Sequence, residues 1–141
     1  MEPIMRRALA VAVLTTLAGC SITPLPPVNP QQSWVDMTML GGKVIMAERL
    51  DGVRLNDGRY FQVTPGRHEL MVRYDFEIYA GSMFLIDPDE RTCYLTVRYD
   101  GFQAGQRYRL EARTLGVNPS VRLYDQNKKV VAEDSAVNCL F

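Results

Sequence analysis

The chain has 141 residues with 16 basic and 16 acidic side chains, so its formal net charge at pH 7 is zero. This balance, without a cluster of Lys and Arg, does not fit a nucleic-acid-binding protein, which needs a basic surface. The single histidine excludes metal sites built from several histidines, and we expect neither a metal nor another cofactor.

Residues 1–19 have the features of a secretory signal peptide. Arg6 and Arg7 form a short positive region, and residues 8–17 form an apolar run. This run is shorter than the about 20 apolar residues that a membrane-spanning helix needs. We therefore predict that residues 1–19 are cleaved off and do not belong to the fold.

The tetrad Leu17-Ala18-Gly19-Cys20 ends this segment. It resembles the lipobox of bacterial lipoprotein precursors. The resemblance implies diacylglycerol on the Cys20 thiol, cleavage before Cys20 and acylation of the new amine. Because Ser21 and not Asp follows the cysteine, it also implies the outer membrane, facing the periplasm, with the inner membrane as the alternative. An ordinary secretory signal with an incidental Cys20 is the other possibility.

Residues 20–33 are predicted to form a tether. Four of them are prolines, which fix φ and lack a backbone N–H, so this segment cannot join a helix or the interior of a sheet. We expect it to be extended and semi-rigid, linking the lipid to a single domain over residues 34–141. Trp34 is expected to anchor the first strand in the core.

From Trp34 onward the hydrophobic pattern has a period of two, which is typical of half-buried β-strands. The clearest strand covers residues 67–79, with one face formed by His68, Leu70, Val72, Tyr74, Phe76 and Ile78. Further strands are predicted at 34–40, 43–50, 59–63, 91–102, 107–113, 121–125 and 129–133. Helical alternatives remain open for 44–50 and for a final turn at 135–140.

Turn signals separate these strands. Gly41-Gly42, Asp51-Gly52 and Asp57-Gly58 indicate hairpins, because glycine supplies the positive φ of primed turns, and residues 125–128 indicate another turn. Strands that recur without amphipathic helices between them predict an all-β fold, specifically a small antiparallel β-sandwich.

Two cysteines remain if Cys20 carries lipid. Cys93 and Cys139 can form only one intramolecular pair, and the periplasm is oxidising. We predict a disulfide that joins the last strand to a central one. The alternative is a pair of buried free thiols.

Residues 44–79 contain a strand, an Asp-Gly turn, a short strand and a Pro-Gly-Arg-His sequence that opens an alternating strand. This order is similar to PEGA-type modules of bacterial envelope proteins. The resemblance implies a small β-sandwich without catalytic residues and with an interaction or structural role in the envelope.

Few residues indicate catalysis. His68 is the one candidate general base, and its position at a strand end favours a packed, hydrogen-bonded role over proton transfer. Ser82 lacks the second glycine and the strand–turn–helix context of a nucleophile elbow. The acidic run at 87–90 lacks the glycine and the spacing of an EF-hand loop, and a solvated turn explains it better.

We therefore predict a non-enzymatic lipoprotein, attached to the membrane through Cys20, that binds an envelope protein partner. Its candidate partner patch is an apolar quartet between polar turns, formed by Met83, Phe84, Leu85 and Ile86. The alternative is a binding module for an apolar or envelope-derived ligand. A hydrolase that uses His68 with an acidic partner is the third and weakest hypothesis.

Overall fold

The computed structural model describes residues 19–38, 43–78 and 88–140. Every regular element in these ranges is a β-strand, so the predicted all-β class is confirmed. The predictions for the signal peptide over residues 1–18, for Gly41-Gly42, for Ser82 and for the quartet at 83–86 lie outside the described residues.

Nine strands are described, and their order along the chain follows the predicted pattern with one short addition, β3. Their bounds are β1 Ser33–Thr38, β2 Val44–Leu50, β3 Val53–Arg54, β4 Phe61–Val63, β5 Gly66–Ile78, β6 Asp89–Phe102, β7 Arg107–Leu115, β8 Asn118–Tyr124 and β9 Val130–Leu140. Both segments with a helical alternative are strands, because each pairs along most of its length with a long neighbour, β5 or β6.

The strands form one sheet in the order β3-β2-β5-β6-β9-β8-β7-β1-β4. The sheet curls at β9, whose first residues pair with β8 and whose later residues pair with β6. All neighbours are antiparallel except β1 and β7, which are parallel, so the sheet is mixed. The sequence predicted a purely antiparallel sandwich. Alternation of apolar residues is the same in both strand directions, and it therefore could not predict the parallel pair.

Two of the predicted turns form as expected. Asp51 and Gly52 have φ of 49° and 81°, as a type I′ hairpin between β2 and β3 requires. The Asp125 carboxylate accepts the N–H groups of Asn127 and Lys129 at 2.8 and 3.0 Å, which closes the turn before β9.

The hairpin predicted at Asp57-Gly58 does not form, since β3 and β4 pair with different strands. The carbonyl of Gly58 instead accepts the Ala47 N–H at 2.8 Å. A Cβ on Gly58 would lie 3.3 Å from the Met46 Cβ, so glycine permits the close approach to β2.

The core lies inside the curl and takes residues from seven of the strands. Its fully buried members include three residues of the predicted inward face of β5 and residues of β6, β7 and β8: Leu70, Val72, Tyr74, Cys93, Leu95, Val97, Leu110, Val121 and Leu123. Trp34 is also buried, but it lies on the face opposite Val35 and stacks on Tyr60 with ring centroids 4.3 Å apart. It therefore anchors β1 outside the main core, not inside it.

The predicted disulfide is present. Cys93 of β6 and Cys139 of β9 lie directly opposite each other and are bonded, with their Cα atoms 4.0 Å apart. In the sheet order β6 lies between β5 and β9, so the disulfide joins the last strand to an interior strand, as predicted.

Candidate functional site

The structure separates the residues that the sequence singled out. Cys20 is an exposed free cysteine in the tether, the disulfide lies in the sheet, and His68 lies at the start of β5. Of the acidic run at 87–90, Asp89 and Glu90 open β6, and Asp87 is outside the described residues. Within the described ranges, no group of three or more His, Cys, Asp and Glu side chains is placed to hold a metal ion.

His68 does have an acidic partner. Its Nδ1 lies 2.6 Å from the Asp51 carboxylate, and its Nε2 lies 2.9 Å from the Thr64 hydroxyl and 2.8 Å from the Thr64 carbonyl oxygen. The positive φ of Asp51 in the type I′ turn directs its carboxylate to the start of β5. A hydroxyl, an imidazole and a carboxylate thus lie in line, as in a nucleophilic triad.

The hydrogen bonds of this cluster nevertheless favour a structural role. A carbonyl oxygen only accepts hydrogen bonds, so Nε2 is placed to donate to Thr64. A nitrogen that donates cannot take the proton of the Thr64 hydroxyl. His68 therefore fastens the β2–β3 turn to the chain before β5, which is the packed strand-end role that the sequence favoured.

The electrostatics of Asp51 agree with this role. Burial on its own raises the pKa of the Asp51 carboxyl, but the Glu69 N–H at 2.8 Å and the ring of His68 lower it by more. The net result is a pKa below the usual value, so Asp51 is the charged anchor of the cluster. The adjoining depression of about 210 Å³ is lined by charged side chains and is smaller than a typical ligand site of about 300–1,000 Å³.

A larger and more apolar groove lies at the end of the sheet where β7 turns into β8. It has a volume of about 420 Å³. Its lining is mainly apolar and comes from four strands and one turn: Phe76, Ile78, Arg91, Cys93, Val117, Asn118, Pro119, Val137 and Cys139. The disulfide forms part of its wall.

The groove exists because β8 and β9 diverge. Their pairing extends from Tyr124 only to Arg122, whereas β8 pairs with β7 as far as Asn118. Pro119 has no N–H to offer to β9. The next N–H of β8 that points toward β9, that of Val121, donates to the Asp134 side chain at 2.9 Å and not to a backbone carbonyl of β9.

An extra residue in β9 completes the divergence. The register of β9 against β6 shifts at Ser135, whose hydroxyl donates to the Thr96 carbonyl at 3.2 Å. Bulges of this kind bend a strand and redirect its side chains. β9 therefore leaves β8 and continues alone beside β6.

Exposed apolar side chains lie in the lining of the groove, as Val117 and Val137, and next to it in sequence, as Leu115 and Leu140. Val117 and Leu115 at the β7–β8 turn are 58% and 74% exposed, and Val137 and Leu140 of β9 are 39% and 60% exposed. Apolar side chains that gather at one end of a domain mark an interaction surface more often than single ones do. The hydrophobic pattern of the sequence does not indicate this surface, because its members are far apart in the chain. The proline within β8 was the one local signal of an open edge.

The tether meets the domain at the other end of the sheet. The Gln32 carbonyl accepts the Gly105 N–H at 3.0 Å, and Trp34 donates to Gln106 at 3.1 Å, both at the turn before β7. The length of β7 puts about 26 Å between that turn and the groove. Residues 20–28 of the tether are exposed, and Arg59 donates to the Thr23 carbonyl there at 2.8 Å.

In the described part of the chain, no helix is long and apolar enough to cross a membrane. Comparison of the chain with protein-family models, curated proteins and solved structures finds no match.

Proposed function

We propose that this chain is a non-enzymatic lipoprotein of the bacterial envelope that binds a protein partner through the groove between β8 and β9. The observation that carries the proposal is the groove itself, with an apolar lining and with exposed Val117 and Val137 at its rim. Exposed apolar surface that gathers in one place marks interaction sites in folded proteins.

The proposed address rests on the sequence. The lipobox-like tetrad before Ser21 supports lipid on Cys20 and an outer-membrane position facing the periplasm, and the similarity of residues 44–79 to PEGA-type modules supports an envelope role. Cys20 is exposed and therefore open to acylation. Because the tether enters the domain at the end away from the groove, a lipid on Cys20 would leave the groove accessible to a partner.

A hydrolase that uses His68 receives less support. The Thr64 carbonyl lies 2.8 Å from Nε2 of His68 and only accepts hydrogen bonds, so this nitrogen is placed to donate to it and not to take the proton of the Thr64 hydroxyl. A loss of some hydrolytic activity in His68→Ala, without a loss of stability, would restore this hypothesis.

A small apolar ligand is the second candidate occupant of the groove. The volume of about 420 Å³ lies within the range of small-molecule sites, about 300–1,000 Å³. Such a ligand would be released as a stoichiometric lipid when the purified chain is denatured, and mass spectrometry would detect it.

The proposal is tested by reversible crosslinking in intact cells, isolation of the lipoprotein and mass spectrometry of what accompanies it. Val117→Asp places a charge at the rim of the groove, and we expect it to remove the protein partner. Val53→Asp is the matched control, because Val53 is a 68% exposed valine away from the groove. Equal recovery of the partner with both variants would contradict docking at the groove.

A further inference from the structure

We propose that the partner binds as an added β-strand, with an extended segment of its chain paired along β9 at Val137–Cys139. This inference rests on the proposed function and specifies how the groove holds its partner. The inference rests on the unpaired backbone groups of β9, and not on the apolar lining of the groove alone.

The distance between the Cα atoms of Cys93 and Cys139 shows which backbone groups of β9 do not pair with β6. In antiparallel strands, residues that exchange hydrogen bonds have Cα atoms about 5.5 Å apart, and the intervening pairs about 4.5 Å. The Cα atoms of Cys93 and Cys139 are 4.0 Å apart, so this pair does not exchange backbone hydrogen bonds. The N–H and C=O of Cys139, and those of Val137 two residues earlier, therefore point away from β6.

This outward edge of β9 is open to solvent. Each residue from Ser135 to Asn138 is exposed. No strand pairs with the far side of Val137 or Cys139 within the portion of the chain that the structure describes. Unpaired N–H and C=O groups in a row are a template for another strand.

The facing edge of β8 cannot fill this role. Pro119 has no N–H, and the Val121 N–H already donates to Asp134. An incoming strand would thus have one backbone partner, β9, and would lie beside Pro119 without pairing to it. Pairing of β8 with β9 is prevented at the same position.

The side chains of β9 define what the incoming segment must carry. Val137 and Cys139 both face the groove, because alternate residues of a strand share a face. A paired segment would likewise direct alternate residues into the groove. Its expected chemistry is an extended peptide with apolar residues at every second position.

The backbone pattern also distinguishes a peptide from an acyl chain. An acyl chain could cover the apolar lining, but it would leave the N–H and C=O groups of Val137 and Cys139 without partners. Buried backbone groups without partners are costly, so a ligand that covers this edge must supply both donors and acceptors. A polypeptide backbone supplies both at the spacing of a strand.

The test uses Val137→Pro in the full-length chain in intact cells, with benzoylphenylalanine at position 117 as the photocrosslinking probe. Proline removes the outward N–H, keeps an apolar side chain and leaves the pairing with β6, because Val137 does not donate to β6. We expect the yield of the crosslinked partner to fall about tenfold, as the loss of one hydrogen bond of about 1.4 kcal/mol predicts. The crosslinked peptide should be a short segment with alternating apolar residues.

Val28→Pro is the matched control, since Val28 is an exposed valine of the tether. Thermal melting of each variant shows whether the domain is still folded. If Val137→Pro unfolds the domain, the same crosslinking test is made with an ester in place of the backbone amide of residue 137, which removes the same N–H without a proline ring. An undiminished yield in folded Val137→Pro would overturn strand addition and leave docking at the groove intact. No protein crosslink from the unsubstituted chain, or a crosslink only to lipid, would overturn both.

Discussion

The carboxylate of Asp51 links the β2–β3 turn to the start of β5. It accepts hydrogen bonds from the Glu69 N–H and from His68, and its lowered pKa reflects the net stabilisation of the charged form in the folded state. A carboxyl with a lowered folded pKa stabilises the fold above its unfolded pKa of about 3.9, and this stabilisation is lost as the pH falls through the folded value.

Asp51→Asn should therefore lower the free energy of unfolding at pH 7 by about 1 kcal/mol, a modest value because the carboxylate is partly exposed. Asparagine tolerates the positive φ, so the turn itself is kept. Urea denaturation of both proteins should give a difference that narrows below about pH 3–4. Asp100→Asn is the control, since Asp100 and its partner Arg67 are both largely exposed. If the difference in the free energy of unfolding between the two proteins is the same at pH 7 and pH 3, the charge of Asp51 does not contribute to the stability of the fold.

At the scale of single strands, the two halves of β9 pair with different neighbours. Its first residues complete the sheet with β8, and its last residues depend on β6 and on the disulfide. The 46-residue separation of the cysteines corresponds, in the chain-entropy model, to a stabilisation of about 4 kcal/mol. The covalent link therefore holds in place a strand that has few buried side chains of its own.

Cys139→Ser should lower the melting temperature under oxidising conditions and change it little in a reductant, relative to the unsubstituted chain treated in the same way. Cys139 is the better position to substitute, because Cys93 is fully buried and a serine there would add the cost of a buried hydroxyl. Equal destabilisation under both conditions would mean that packing, and not the covalent bond, stabilises β9.

The backbone pattern of β9 also predicts amide exchange. The inward N–H groups of Ala136 and Asn138 should exchange slowly with deuterium, and the outward N–H groups of Val137 and Cys139 should exchange fast. Residue-resolved hydrogen exchange by NMR measures this alternation in the free protein. Slow exchange at Val137 and Cys139 would mean that the edge is already paired.

The sequence predicted the elements better than their arrangement. Alternation located β5 and β6 within two residues at each end, because one face of each strand is buried in the core. It could not predict that β1 pairs parallel to β7 or that Asp57-Gly58 contacts β2, since both depend on which strands meet. The disulfide could be predicted because only two cysteines remain once Cys20 is assigned to lipid. The groove could not be predicted, because it forms where β8 stops pairing with β9 at Pro119, and the hydrophobic pattern does not indicate which strands pair.

At the scale of the whole molecule, the tether and the groove lie at different ends of the sheet, about 26 Å apart along β7. This arrangement suits a domain that is fixed at one end and binds at the other. Cys20→Ala should therefore shift the protein from the membrane fraction to the soluble fraction, or leave an uncleaved precursor, without a change in the melting temperature of the domain. A Cys20→Ala protein that is cleaved at the same site and still fractionates with the membrane would contradict the proposed lipid anchor.

The claim that this end of the sheet binds a protein is tested most directly by photocrosslinking from two exposed valines in intact cells. Benzoylphenylalanine at position 117 lies at the rim of the groove, and the same probe at position 53 lies on β3, away from it. We expect a specific protein crosslink from position 117 and none from position 53. The same crosslinks from both positions, or none from position 117, would contradict it.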